Sequence, residues 1–247
     1  VLFSTAGDVL AHEEWSKNMR WISRSLFAGL YLCCHAVFAE DAVHKTKSWN
    51  GVTVYGSLTE DKCIKYFLES QLRFVDDHVN KFETVYLEGG VGRQVLQNLV
   101  LWFGFRWDTF NDYTGGIGND TVLWQQFSWD IYKTDYIKIV DRTRVEEIMY
   151  HSHNNVFVLF NQRVAIEIPI DQANKYYIAF YESIYLQINH PEWVTNKLLN
   201  QNRAFVGLKY RVGQHDSIYF GYINQYQFNE PDVNNNIVGL RLESNYD

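Results

Sequence analysis

The sequence predicts an all-β chain, an antiparallel up-and-down transmembrane β-barrel of 10 or 12 strands preceded by a signal-peptide helix. Three observations predict it. From Glu40 onward, apolar and polar residues alternate in runs of about ten, the length a strand needs to cross a bilayer, whereas soluble strands average ~5–6 residues. A short apolar segment with a basic start precedes those runs. Aromatic residues make up 17% of the chain, and Trp and Tyr favour the boundary between lipid and water.

Residues 19–39 have the parts of an export signal. Arg20 and Arg24 supply the positive start, and Leu26 to Phe38 is the apolar core, interrupted only by His35. Val37-Phe38-Ala39 places acceptable residues before a cleavage point between Ala39 and Glu40. The apolar stretch is shorter than the ~20 residues of a transmembrane helix. Residues 1–18 read as an upstream extension ahead of Met19, and residues 40–247 as one barrel domain.

Cleavage after Ala39 removes three basic residues (Lys17, Arg20, Arg24) and three acidic ones (Asp8, Glu13, Glu14), so the formal charge of −7 is unchanged. That balance argues against nucleic-acid binding, which needs a basic footprint. Only Cys63 remains of the three cysteines, so no internal disulfide can form, and a lone thiol of this kind is expected to be buried.

Eleven candidate strands follow, at 49–58, 62–75, 81–92, 97–108, 121–132, 136–149, 154–168, 175–189, 202–213, 216–228 and 234–246. Ile64, Tyr66, Leu68, Ser70, Leu72 and Phe74 share one face, opposite Lys65, Phe67, Glu69, Gln71 and Arg73. Leu99, Leu101, Phe103, Phe105 and Trp107 repeat the pattern. Pro169, Pro191 and Pro231 fall at run ends, where a missing amide donor breaks no ladder. Tight connections at 59–61, 133–135 and 213–215 alternate with longer ones, which assigns the tight set to the periplasm. Bacterial barrels of this kind have even strand numbers. The run 49–58 is therefore expected to be a plug or periplasmic segment beside ten strands, or to join an unseen strand in a barrel of twelve.

These runs carry short sequence marks in a fixed order: Trp49-Asn50-Gly51-Val52, Glu69-Ser70-Gln71-Leu72-Arg73-Phe74, Leu123-Trp124-Gln125-Gln126-Phe127, Asp141-Arg142-Thr143-Arg144-Val145-Glu146, then Glu182 and Asn202-Arg203. In them the chain, from about Trp49 to Tyr246, resembles a family of bacterial outer-membrane β-barrels known as a domain of unknown function. The resemblance implies the barrel and its outer-membrane location and brings no established activity. The end departs from the usual barrel pattern, because Tyr246 is penultimate and Asp247 follows.

A charged residue facing lipid is costly, ~2–4 kcal/mol for Arg or Lys at the midplane. The polar faces therefore predict a lumen-facing cluster of Lys65, Glu69, Arg73, Arg106, Arg142, Arg144, Glu146, Arg163, Glu167, Arg203 and Arg241. Such a cluster either holds a small barrel closed by ion pairs or forms a charged constriction that selects a small solute. His151-Ser152-His153 lacks a third orienting group for catalysis and a third ligand for a metal, so no catalytic residue, metal or cofactor is expected. Gly115-Gly116-Ile117-Gly118 lacks the Lys and the following helix of a phosphate loop. The loop from His190 to Gln201, with Trp193 and Leu198-Leu199, has the composition of a short amphipathic turn that folds into the barrel mouth or rests on the outer lipid surface.

The reading that follows is an integral outer-membrane barrel with a structural or narrow solute-passing role. Its expected partners are outer-membrane lipid, the barrel-insertion machinery during biogenesis and a small solute. Two alternatives stay open: an outer-membrane enzyme modifying lipid or lipopolysaccharide, and a soluble periplasmic β-barrel binding an apolar ligand.

Overall fold

The computed structural model describes residues 42–75, 81–111, 117–151 and 153–247. Residues 1–41, which include the expected export signal and the Ala39–Glu40 cleavage point, lie outside them.

Among the described residues, eleven strands form one closed barrel: β1 (Val43–Ser57), β2 (Ile64–Val75), β3 (Lys81–Leu96), β4 (Leu99–Asn111), β5 (Ile117–Lys133), β6 (Lys138–Tyr150), β7 (Phe157–Pro169), β8 (Tyr176–Gln187), β9 (Leu199–Arg211), β10 (Asp216–Gln227) and β11 (Val233–Tyr246). The described residues contain no helix. Each strand pairs antiparallel with its sequence neighbour, and β1 closes the barrel on β11 in parallel, from Val43 opposite Val233 to Gly56 opposite Tyr246.

This corrects the expected count of 10 or 12. An up-and-down sheet with an odd number of strands has its first and last strands running the same way, so it closes only through one parallel pair. The segment 49–58 is neither a plug nor half of a missing hairpin. It is the core of β1, hydrogen-bonded to β2 on one side and β11 on the other. The start of β1 and the end of β11 consequently lie at opposite rims.

Polarity is inverted relative to a soluble barrel. Leu68, Phe103, Leu208 and Phe220 are each more than half exposed on the outer wall. Inside, Thr53, Asn161, Ser183 and Asn235 are fully buried. Period-two alternation produces both faces from the same strands.

The interior is not uniformly polar. Trp124, Phe67, Val122, Ile148, Phe157, Leu159 and Tyr185 form an apolar cluster within it. Trp124 is fully buried, and its register row explains how it fits. Gly104 is its direct partner on β4, and Gly90 lies opposite Gly104 on β3. A Cβ on Gly104 would fall 2.0 Å from the indole, and one on Gly90 would fall 2.5 Å from it. Two mid-strand glycines, which elsewhere weaken a strand, make the space that the tryptophan fills.

Candidate functional site

The lumen encloses a cavity of about 460 Å³. Its lining carries eight basic and five acidic side chains, a formal excess of three positive charges in a chain of net charge −7. The residues expected in the lumen divide there into two electrostatic classes.

The first class is paired. Arg106 on β4 lies 2.9 Å from Asp108, 3.3 Å from Glu146 and 3.9 Å from Glu88. Arg144 on β6 stacks over Trp124, 4.1 Å from the ring centroid, and reaches Glu88 on β3 at 2.7 Å. These groups bridge β3, β4 and β6 within the interior, where a charge without a partner is costly. Lys209 pairs with Glu167 at 2.9 Å, and Tyr219 donates to the same carboxylate at 2.8 Å. Arg241 pairs with Glu243 at 3.4 Å and covers the Tyr219 ring. Lys47 pairs with Glu83, and Tyr86 donates to Glu69.

The second class is cationic and has no carboxylate partner among the described residues. Arg142 donates to the Asn161 amide oxygen at 3.0 Å, Arg163 to the Ser183 hydroxyl at 2.7 Å, Arg203 to the Gln201 amide oxygen at 3.3 Å and Arg73 to the Gln71 amide oxygen at 2.6 Å. Each partner is neutral. Aromatic faces support three of the four: Arg163 lies 4.3 Å from the Tyr181 centroid, Arg203 4.7 Å from Tyr185, and Arg73 4.2 Å from Trp49. Cation–π contact holds such a guanidinium without neutralising it.

Not every expected residue joins these groups. Lys65 is at the tight-turn rim, 2.9 Å from Asp247, and does not line the cavity. Ala39 and Glu40 lie outside the described residues, as does Ser152. His151 is exposed, and His153 stacks on Trp193 at 4.6 Å between centroids. Among the described residues, no group of three His, Cys, Asp or Glu side chains gathers to hold a metal.

The aromatic supports Trp49, Tyr181, Tyr185 and Tyr86 escaped the reading of the charged residues alone. For Trp49 and Tyr86 the signal was an aromatic two positions from an inward charge on the same strand, Lys47 and Glu88; Tyr181 and Tyr185 had no such signal, because β8 carries no charge on their face. Trp193 also brings the β8–β9 loop into contact with the interior cluster. Its ring meets Tyr150 edge-on at 4.5 Å and packs against Phe157 at 5.8 Å.

Cys63 corrects another expectation, because it is exposed rather than buried. It lies in the β1–β2 turn, where Asp61 accepts from the Thr59 hydroxyl at 2.6 Å and from the Cys63 amide at 3.0 Å. The Thr59 hydrogen bond, followed by that from the Cys63 amide, holds the Asp61 carboxyl below its ordinary range. Hydrogen bonding to Asp61 pushes the Cys63 thiol up, which disfavours its thiolate form.

The chain is 25% identical over 206 residues to an uncharacterized protein of Methylorubrum extorquens, covering 82% of this chain and 88% of that one. It is also similar to a solved structure of the NanC porin, with 12% identity, a TM-score of 0.45, and coverage of 73% of this chain and 87% of the porin. The model of the family described as protein of unknown function (DUF2490) matches residues 46–236, a span from β1 into β11, and the chain belongs to that family.

Proposed function

We propose that this chain is an integral bacterial outer-membrane β-barrel with a narrow polar lumen, in a structural or small-solute-passing role. The observation that carries the reading is the inverted wall. Leu68, Leu101 and Val206 are 58%, 47% and 47% exposed on the outside, while Arg142, Arg144 and Arg163 line the cavity. In water that arrangement would leave a barrel-wide apolar surface uncovered, far more than a soluble monomer tolerates. In a bilayer the same surface meets lipid, and closure leaves no unpaired strand edge in the hydrocarbon. A soluble barrel binding an apolar ligand would require the opposite polarity.

Several features fit the membrane reading. The strands run from 12 to 17 residues, longer than the ~9–11 that span the hydrocarbon core. Tyr176 and Tyr210 stack at 5.0 Å on the outer wall beside the tight turns, and Tyr246 stacks on His215 at 5.3 Å at the same rim. Such positions suit an aromatic girdle. The partners of this reading are outer-membrane lipid around the wall and the insertion machinery during assembly. The export segment 19–39, cleaved between Ala39 and Glu40, is the route by which the chain leaves the cytoplasm.

Fractionation of the expressed chain tests this reading, together with gel migration before and after boiling. The expected result is sedimentation with the outer membrane, resistance to urea extraction and a shift in migration only after boiling. Recovery in the soluble periplasm without a heat shift would overturn it.

A further inference from the structure

We propose that Arg142, Arg163 and Arg203, with Arg73 beside them, form a binding site in the lumen for a small solute bearing an oxyanion, a carboxylate or a phosphate. The inference rests on the polar, solvent-reachable lumen of the preceding reading and adds the ligand that this lumen takes.

The strand register carries the argument. Arg142 on β6 is the direct cross-strand partner of Arg163 on β7, Arg163 is the partner of Ser183 on β8, and Ser183 is the partner of Arg203 on β9. Three guanidinium groups and one hydroxyl therefore occupy one row across four adjacent strands, ~14 Å from end to end at the usual strand spacing. Like charges directly opposite each other destabilise a sheet. A barrel held closed by ion pairs would place a carboxylate in such a row, as it does around Arg106 and Arg144. This row has none. Arg203 and Arg73 are drawn together by the Trp49 ring, which both contact, at 5.2 and 4.2 Å.

The donors are correspondingly under-used. A guanidinium carries five N–H donors, and among the described residues each of these four makes one side-chain hydrogen bond. Aromatic rings sit against Arg73, Arg163 and Arg203, 4.2, 4.3 and 4.7 Å from ring centroid to guanidinium carbon, and the N–H edges beyond the one hydrogen bond of each have no side-chain partner among the described residues. Those edges are the ones that take a carboxylate or phosphate through two parallel hydrogen bonds. All four side chains line the same cavity. An oxyanion there would relieve the repulsion between Arg142 and Arg163 and fill the vacant donors together.

The test uses the full chain folded in detergent micelles, with inorganic phosphate and succinate as probes in calorimetric titration at low ionic strength and choline chloride as the control. The variants are R163Q and the double variant R163Q/R203Q. R241Q, which alters an arginine already paired with Glu243, serves as the comparison. We expect saturable binding of phosphate, succinate or both. R163Q should weaken it on the order of tenfold, as loss of a charge-assisted hydrogen bond does. The double variant should abolish it, and R241Q should change it little.

The boiling shift of each variant separates binding from folding. Because R163Q removes like-charge repulsion, it should keep or raise the temperature of that shift, whereas a structural ion-pair role would lower it. Saturation by neither probe, or binding unchanged in the double variant, overturns the site. A chain that inserts and shares the heat shift but binds no anion overturns this inference alone. A chain that binds the anion but stays soluble in the periplasm overturns the membrane reading alone.

Discussion

Arg144 reaches from β6 across the face of Trp124 to place a guanidinium nitrogen 2.7 Å from the Glu88 carboxylate on β3, and both side chains are only 5% exposed. The contact ties together strands that are not neighbours in the sheet, so it braces the barrel across its interior. Removing one member of a buried pair leaves the other charge uncompensated, at a cost of about 3–5 kcal/mol. R144M should therefore lower barrel stability by an amount at the low end of that range, since Arg106 remains within 3.9 Å of Glu88. Urea unfolding in micelles, followed by Trp fluorescence, measures it. A change below about 1 kcal/mol, the value of an exposed pair, would show that the brace carries no load.

The glycine row beneath Trp124 makes a second expectation. With a Cβ 2.0 Å from the indole, G104A has no room unless the ring moves. Overpacking of this kind costs about 1–3 kcal/mol. The double variant G104A/W124L should recover part of the loss, because the smaller side chain vacates the clash. Equal destabilisation in the single and double variants would place the cost in the β4 backbone rather than at the ring.

The outer wall makes a third. L101R puts a guanidinium on a lipid-facing position that is 47% exposed, and should cost about 2–4 kcal/mol if the position is near the midplane. L58R, in the β1–β2 turn, should cost no more than about 1 kcal/mol because the charge remains at the rim. Folding yield into lipid vesicles distinguishes the two. Equal yields would contradict a lipid environment around Leu101.

The β1–β2 turn makes a pH-dependent prediction. Its hydrogen bonds lower the folded-state value of Asp61, so its contribution is fully present above the unfolded carboxylate value of about 3.9. The contribution is lost as pH falls through the lower folded value, below the usual carboxylate range. The turn should therefore keep its amide protection at pH 4 and lose it only under stronger acid, as hydrogen exchange at Cys63 and Ile64 would record. D61N removes the group that pushes the Cys63 thiol up. Its cysteine should alkylate faster with iodoacetamide at pH 8 than the parent thiol. An unchanged rate would show that Asp61 does not govern the sulfur.

Much of this architecture is legible in the residues. Strand β2 illustrates why: Leu68 and Leu72 face one way when Lys65, Glu69 and Arg73 face the other, because successive side chains alternate along a strand wherever no bulge interrupts it. The same alternation locates ten of the runs to within a few residues of the strands that form, and identifies Arg142, Arg163 and Arg203 as facing one interior. It extends β1 too little, since Val43 to Ser48 are mostly polar and their strand character comes from pairing with β11.

What tertiary structure decided is who meets whom. Periodicity of two leaves the register of neighbouring strands free to shift by two residues with no change of face. Only the formed sheet determines that Arg142, Arg163, Ser183 and Arg203 share a row while Arg144 crosses to Glu88. Closure lies equally beyond the chain's local pattern. Whether β1 plugs the lumen, pairs with an unseen strand or joins β11 in parallel depends on contacts nearly two hundred residues apart, which no window of sequence contains. The sequence by itself determined two faces and their chemistry. The closed sheet determined eleven strands among the described residues, acids and bases paired across the lumen, and a row of arginines without carboxylate partners among them.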